Sequence, residues 1–420
     1  MTKKTEPKNK AMKELAMDFQ ETYRIDQERV TALYRELHQY PELAFDLPRT
    51  LALVRRELER LGISYTESYG QSSIVATINP ENTGYTIGIR ADMDALPVQE
   101  TNTIPYKSCV DGKMHACGHD AHTAILLGTA RALQEQRDKL SCRVKLLFQP
   151  SEEGLQSGAL LMVRDGVMDD IDLIVALHVE VTLPTGTVGV CPGYSQAASR
   201  TLHLSFQGKP SHASQPHKGS DALAMAVRTY NDVQLMLNRE LNPLDNYLCS
   251  FNKLTAGTTQ NVTAAEAELL GTARTLPPEV DRHIGRRIQQ IARQAADATG
   301  GDVTFTTYLK CLPVYNDPLL SASWRASAAQ VVGREQVRPV ARRMSSEDFS
   351  QFLTQSPGLL FRLGIANTAK HETGPAHNSN FLIDEDALPI GCAVFVQFVL
   401  DHMDGKTKAE VPADMAAWQD

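Results

Sequence analysis

The chain has no apolar run approaching the roughly 18 residues that a membrane span needs. It has no apolar stretch behind its basic start either. Lys3, Lys4, Lys8, Lys10 and Lys13 lead into no signal-like segment, so they read as a frayed tail ahead of a helix. Basic residues are outnumbered, 42 Lys and Arg against 50 Asp and Glu for a formal net charge of -8, and no basic stripe is interleaved with aromatics, which argues against nucleic acid as a partner. The seven cysteines are odd in number and widely scattered, which makes a poor disulfide framework and fits a reducing cytoplasm. Internal repeats and low-complexity segments are missing beyond the tail. A hydrophobic fraction of 42% and a charged fraction of 22% describe a soluble globular protein, and 420 residues suggest two domains.

Apolar residues recur at helical spacing from Ile25 to Leu61, interrupted at Tyr40-Pro41-Glu42, which predicts two helices joined by a short loop. Ser73–Ile78 and Tyr85–Arg90 read as strands, and Ala121–Leu133 as a helix with Asp120 placed to cap it. Arg143–Phe148 reads as a strand, Gly158–Arg164 as a helix and Leu173–Leu177 as a strand. This alternation predicts an α/β sheet covered by helices on both faces. After Gly193 the pattern becomes strand Thr201–Gln207, helix His217–Met236, strands Tyr247–Leu254 and Glu266–Arg274, helix Pro277–Ala298 and strand Asp302–Leu309. That order is ferredoxin-like, βαββαβ. The expected fold class is therefore α/β in two domains. A catalytic domain with a central sheet flanked by helices (residues 1–194 and 310–420) carries an inserted satellite domain (195–309), and closes with a helix over Asp384–His402.

The segment His115–His122 holds one thiol, three imidazoles and one carboxylate directly before a helix. These are the side chains that divalent transition metals take as ligands. Cys117 and His119 alone could equally be a small buried thiol beside a structural histidine. Company changes the reading. Asp92 and Asp94 follow one predicted strand, Glu152 and Glu153 a second, and His178 a third, while His377 lies in a polar loop. In open α/β sheets, sites gather beyond the carboxyl ends of strands. A thiolate between two cations would be deprotonated and could bridge them. An isolated Glu-Glu is most often a solvated turn. In a metal site, one carboxylate binds metal and its neighbour takes a proton from water, with mutual repulsion raising one of the two. Spacing does not say which is which. In the inserted segment His212, Asn261 and Arg274 read as ordinary surface residues, although Arg274 could fork onto a substrate carboxylate.

Taken in order, several segments form a specific set: His38-Gln-Tyr-Pro-Glu-Leu-Ala-Phe45, Arg90-Ala-Asp-Met-Asp-Ala-Leu-Pro97, Met114-His-Ala-Cys-Gly-His-Asp-Ala-His122 and Phe148-Gln-Pro-Ser-Glu-Glu-Gly154. They are followed by Ala176-Leu-His178, Gly208-Lys-Pro-Ser-His-Ala213, Met344-Ser-Ser-Glu-Asp-Phe349 and Ala387-Leu-Pro-Ile-Gly391. The chain resembles an amidohydrolase of the M20 metallopeptidase family, in the branch holding hippurate hydrolases, N-acyl-amino-acid hydrolases and auxin-conjugate hydrolases. The resemblance implies that Cys117, His119, Glu153, His178 and His377 ligate two divalent ions per subunit. It also implies that Glu152 is the general base, that Asp94 supports a ligand, and that His212 helps hold the oxyanion, in related dimers across the subunit boundary. Asn261 and Arg274 fall on positions for a substrate carboxylate, although this chain has Asn261-Val-Thr-Ala264 where the family has Asn-Val-Ile-Pro. The loop 366–375 also departs from the pattern.

The expected activity is hydrolysis of an N-acyl or aroyl amino acid to a carboxylic acid and a free amino acid. A dipeptidase or aminopeptidase with the same metals is the alternative; it would need an acidic partner for the substrate amine, which the sequence does not place. A catalytically idle metal- or ligand-binding relative would have lost a ligand or the base, and every such position is filled. A thiolate with imidazoles suits zinc, cobalt or nickel, and carboxylates tolerate manganese. The expected partners are a small N-acyl amino acid or short peptide and a second copy of the chain, paired through satellite-domain sheet edges as a homodimer or higher oligomer.

Overall fold

The computed structural model describes residues 19–407 and 409–412; the basic tail of the sequence reading lies outside them. The described residues fall into two compact units. Residues up to Gly193, with Tyr315–Ala341 and Gln351–Val411, form the first; Tyr194–Val314 and Arg342–Ser350 belong to the second.

The first unit is built on an eight-stranded sheet: β1 (Ser64–Thr66), β2 (Ile74–Ile78), β3 (Thr86–Asp92), β4 (Arg143–Gln149), β5 (Leu173–Pro184), β6 (Val188–Val190), β7 (Val337–Pro339) and β8 (Gly358–Ala366), in the order β1-β2-β4-β3-β5-β8-β6-β7. At its centre β3 pairs parallel with both β4 and β5, and β5 parallel with β8. Every residue of β3 is buried, as are the first five of β5, which is why Leu173–Leu177 is a continuous apolar run rather than an alternating one.

Two helices separated at Pro41 lie just ahead of the sheet, as the break there predicts. The first, α1 (Gln27–Gln39), starts at Asp26, whose carboxylate accepts the Arg29 N–H at 3.0 Å. The second, α2 (Pro48–Arg60), starts with proline in its first turn, where a missing N–H costs nothing. Helix α3 (His119–Gln134) is buried on almost every side and packs against α1, β3 and the last helix, α6 (Leu388–His402). Between them lie α4 (Gly158–Arg164) and α5 (Pro318–Val332). Ring contacts from Trp324 to Phe361 at 4.8 Å and from Phe361 to Phe395 at 5.3 Å tie α5, β8 and α6 together.

Two local expectations are corrected. Asp120 does not cap α3: that place is taken by Gly118 at φ +90°, and Asp120 turns inward. The closing helix is shorter than expected, because Asp384 caps a 3-10 turn over Glu385–Ala387 before α6 begins at Leu388.

The second unit contains a four-stranded antiparallel sheet whose strands, in chain order, are Ala198–Gln207, Tyr247–Ala256, Glu266–Thr275 and Asp302–Cys311. The first and third are central, with the fourth outside the first and the second outside the third. Helices Ala222–Arg239 and Pro278–Asp297 follow the first and third strands and share the buried core of Leu202, Leu204, Phe206, Val233, Ile284 and Ile288. The first helix starts later than the periodicity predicts, since Pro216–Lys218 is a separate 3-10 turn and Asp221 is the cap. No helix among the described residues is long and apolar enough to cross a membrane.

Candidate metal centre

The parallel alignment of β3, β4 and β5 sets their carboxyl ends side by side. Asp92 is level with Gln149, and Arg90 with Ala176, so Asp92 and His178 each lie two residues further along adjacent strands. His178 thus sits inside β5, not beyond its end as the shorter predicted strand implies.

The donor groups converge in the first unit. Potential ligand atoms of Cys117, His119 and His178 lie within 4.8 Å of one another, and so do those of Cys117, Glu153 and His377. Cys117 belongs to both trios. His119, Glu152 and Glu153 form a further group within the same span. Cys117 Sγ is 3.5 Å from His178 Nε2, and His377 Nε2 is 3.0 Å from Glu153 Oε1.

Several elements hold these groups in place. Asp94 accepts the backbone N–H groups of Glu152 and Glu153 at 2.9 and 3.1 Å, which clamps the acidic loop after β4 to the loop after β3. His377 is held at φ +67° with its N–H donated to Ala116 O at 2.7 Å, tying its loop to the segment carrying Cys117. Gly118 is required where it stands: besides its positive φ, a Cβ there would collide with Val179 Cγ2.

The residues fit a metal ion by their own chemistry. His119 is 1% exposed, yet neither ring nitrogen makes a hydrogen bond; Asp94 Oδ1 and Asp92 Oδ2 stand 3.6 and 3.7 Å away. Buried nitrogens in that position have a cation as a natural partner. Electrostatics agree. Burial opposes a charge on His119, but Asp92, Cys117 and Asp94 outweigh it and raise the imidazole well above its ordinary range. Burial pushes the Cys117 thiol upward, a trend that a bound dication reverses outright. Burial also works to raise Glu153, yet the bond from His377 and the charge of His119 hold it below the usual carboxylate range, the charged form that binds metal. His178 is kept neutral by burial, the form that binds metal.

The second unit holds the remaining predicted residues. His212 is exposed; it bridges to Val262, and its Nδ1 lies 2.8 Å from Ser214 Oγ. Ala213 donates its N–H to Asn261 O at 3.0 Å, which makes His212 and Asn261 neighbours. Arg274, half-buried on the strand Glu266–Thr275, donates to Thr272 Oγ1 and Ala273 O, and burial lowers its pKa.

The sequence reading missed a supporting layer. His122 lies one turn along α3 from His119, their rings stacked at 5.4 Å, and its Nδ1 is 2.6 Å from Asp92 Oδ1. Arg90 backs Asp92 at 2.7 Å and donates to Gln149 Oε1 at 2.7 Å. His38, between Glu100 and Asp120, sits beneath α3. The i, i+3 spacing of His119 and His122 was the available signal, since it puts both on one helix face.

Comparison with known proteins places this geometry in context. The profile of peptidase family M20/M25/M40 matches residues 88–401. The chain is 33% identical over 369 residues to thermostable carboxypeptidase 2 of Saccharolobus solfataricus, covering 86% of this chain and 92% of that one. It is also 33% identical over 377 residues to N-acetylcysteine deacetylase of Bacillus subtilis, covering 89% and 96%. Among solved structures, the Bacillus subtilis YXEP protein, a dinuclear metal-binding peptidase from the M20 family, aligns with a TM-score of 0.77 and 30% identity over 90% of this chain and 98% of that one.

Proposed function

The chain belongs to peptidase family M20/M25/M40, hydrolases acting on amide bonds, and from that premise we propose that it cleaves N-acyl or aroyl amino acids to a carboxylic acid and a free amino acid. The observation that carries the reading is the pair of donor trios sharing Cys117, the arrangement two ions bridged by one thiolate require. Cys117, His119 and His178 would hold one ion, and Cys117, Glu153 and His377 the other. Such ions supply Lewis acidity at the amide carbonyl and lower the pKa of water. Zinc, manganese, cobalt and nickel all suit the donors.

The chain's own groups do the rest. Glu152, fixed through its backbone N–H by Asp94, takes the proton of the attacking water and returns it to the departing amine. His212 stabilises the oxyanion, and Asn261 and Arg274 receive the substrate carboxylate. His212 is supported by the match of its segment Gly208–Ala213 and Arg274 by a desolvated guanidinium, while Asn261 rests on its position in a segment that departs from the family pattern. The enzyme is proposed to work in the cytoplasm, where its seven unpaired cysteines stay reduced, and as a homo-oligomer.

The test is a panel of N-acetyl amino acids, N-benzoyl amino acids and dipeptides, offered to chelated protein refilled with each metal in turn. Turnover of the N-acyl compounds above dipeptides is expected, and a dipeptide preference overturns the substrate assignment. Glu152→Ala should lower turnover by about 10²-fold or more with metal content intact; retained activity removes Glu152 from the role of base.

A further inference from the structure

We infer that His122 is a positioning residue: it anchors Val179 by its N–H, so that the carbonyl of the same residue meets His178 Nδ1 and His178 offers its Nε2, and not its Nδ1, to the metal centre. The inference rests on the two-ion reading above and concerns a side chain outside the proposed ligand set.

An unbroken series of contacts joins Asp92 to Cys117. Val179 donates its N–H to His122 Nε2 at 3.0 Å. A backbone N–H can only donate, so His122 Nε2 carries no proton and the ring proton lies on Nδ1. That proton goes to Asp92 Oδ1 at 2.6 Å, and Asp92 is itself held by Arg90 and by α3 through the bond from Thr123 Oγ1 to its carbonyl at 2.9 Å. The other side of the Val179 residue faces His178: Val179 O lies 2.7 Å from His178 Nδ1. A carbonyl can only accept, so His178 carries its proton on Nδ1 and presents a bare Nε2, 3.5 Å from Cys117 Sγ. One residue of β5 is thus gripped at both its polar atoms by two imidazoles. His122 and Asp92 are each at most 1% exposed, so no water substitutes for either. The trio Cys117, Glu153 and His377 does not depend on this clamp.

The experiment is calorimetric zinc titration of the chelated full chain as wild type, His122→Phe and His122→Gln. Wild type should bind two ions per subunit. His122→Phe should weaken one of them about 10- to 100-fold and leave the other within about threefold, and His122→Gln, which keeps a donor and an acceptor, should recover most of the loss. Two unchanged affinities overturn the inference, as does equal weakening of both, which would indicate a packing role. Wild type binding no second ion overturns the two-ion reading and the inference with it. If His122→Phe does not fold, ring-nitrogen NMR of the ¹⁵N-histidine-labelled wild type decides. His122 should stay protonated on Nδ1 with and without zinc, and a metal-bound shift at its Nε2 would make it a ligand and overturn the positioning role.

Discussion

His38 Nδ1 lies 2.6 Å from Asp120 Oδ2, and neither side chain is more than 1% exposed. On its other side His38 Nε2 is 3.2 Å from Glu100 Oε1, so one imidazole is held between two buried carboxylates directly under the helix that carries His119.

This arrangement sets a pH dependence of stability. Burial lowers the pKa of His38, but the bonds to Asp120 and Glu100 prevail and bring it up to about 9. A raised value means that the stabilisation is whole below the unfolded histidine value of about 6.5 and disappears as pH climbs through about 9. The shift corresponds to roughly 3 kcal/mol. Asp120 and Glu100 are both held below the carboxylate range, so their share is whole above the unfolded carboxylate values and is lost on acidification. Denaturant titrations should therefore give a plateau with an alkaline decline between pH about 6.5 and 9.5 that His38→Gln removes.

Sharing of Cys117 between the trios makes its removal different in kind from removal of either histidine. Cys117→Ala should cost both ions, while His178→Ala and His377→Ala should each cost one. Elemental analysis after dialysis counts them; equal losses in all three variants would contradict the bridging arrangement.

Metal uptake should release protons. Without metal, Cys117 is kept a thiol by burial, and His119 is held protonated by Asp92 and its other neighbours. Loading should expel about two protons per subunit, one from each. Calorimetry in buffers of different ionisation enthalpy measures this, and apparent affinity should rise with pH.

Gly118→Ala should destabilise the chelated protein by about 2 kcal/mol or more, because alanine is strained at this positive φ and its methyl group would strike Val179. The same collision displaces the segment carrying Cys117, so zinc affinity should fall together with the denaturation midpoint.

Much of the fold was legible because its signals are local. Buried apolar runs announced β3, β4 and β5, and Pro41 divided α1 from α2. The errors arose where a local rule met a distant partner. Asp120 has the composition of a cap, yet the contact with His38 draws it inward and leaves the cap to Gly118. Spacing left open which of Glu152 and Glu153 binds metal; His377, from a far later loop, is what holds Glu153 in its charged form. His122 stood in plain view one turn from His119, but its partner is a backbone N–H, which no side-chain pattern advertises.

Donor types, their spacing along the chain and the periodicity of the elements belong to the primary structure, since each depends on neighbours a few residues away. Which donors meet, which ring nitrogen is left bare and which carboxylate stays charged were settled by strand alignment and burial. Those outcomes depend on distances of a few ångströms between segments far apart in the chain, and only packing of the whole unit sets such distances.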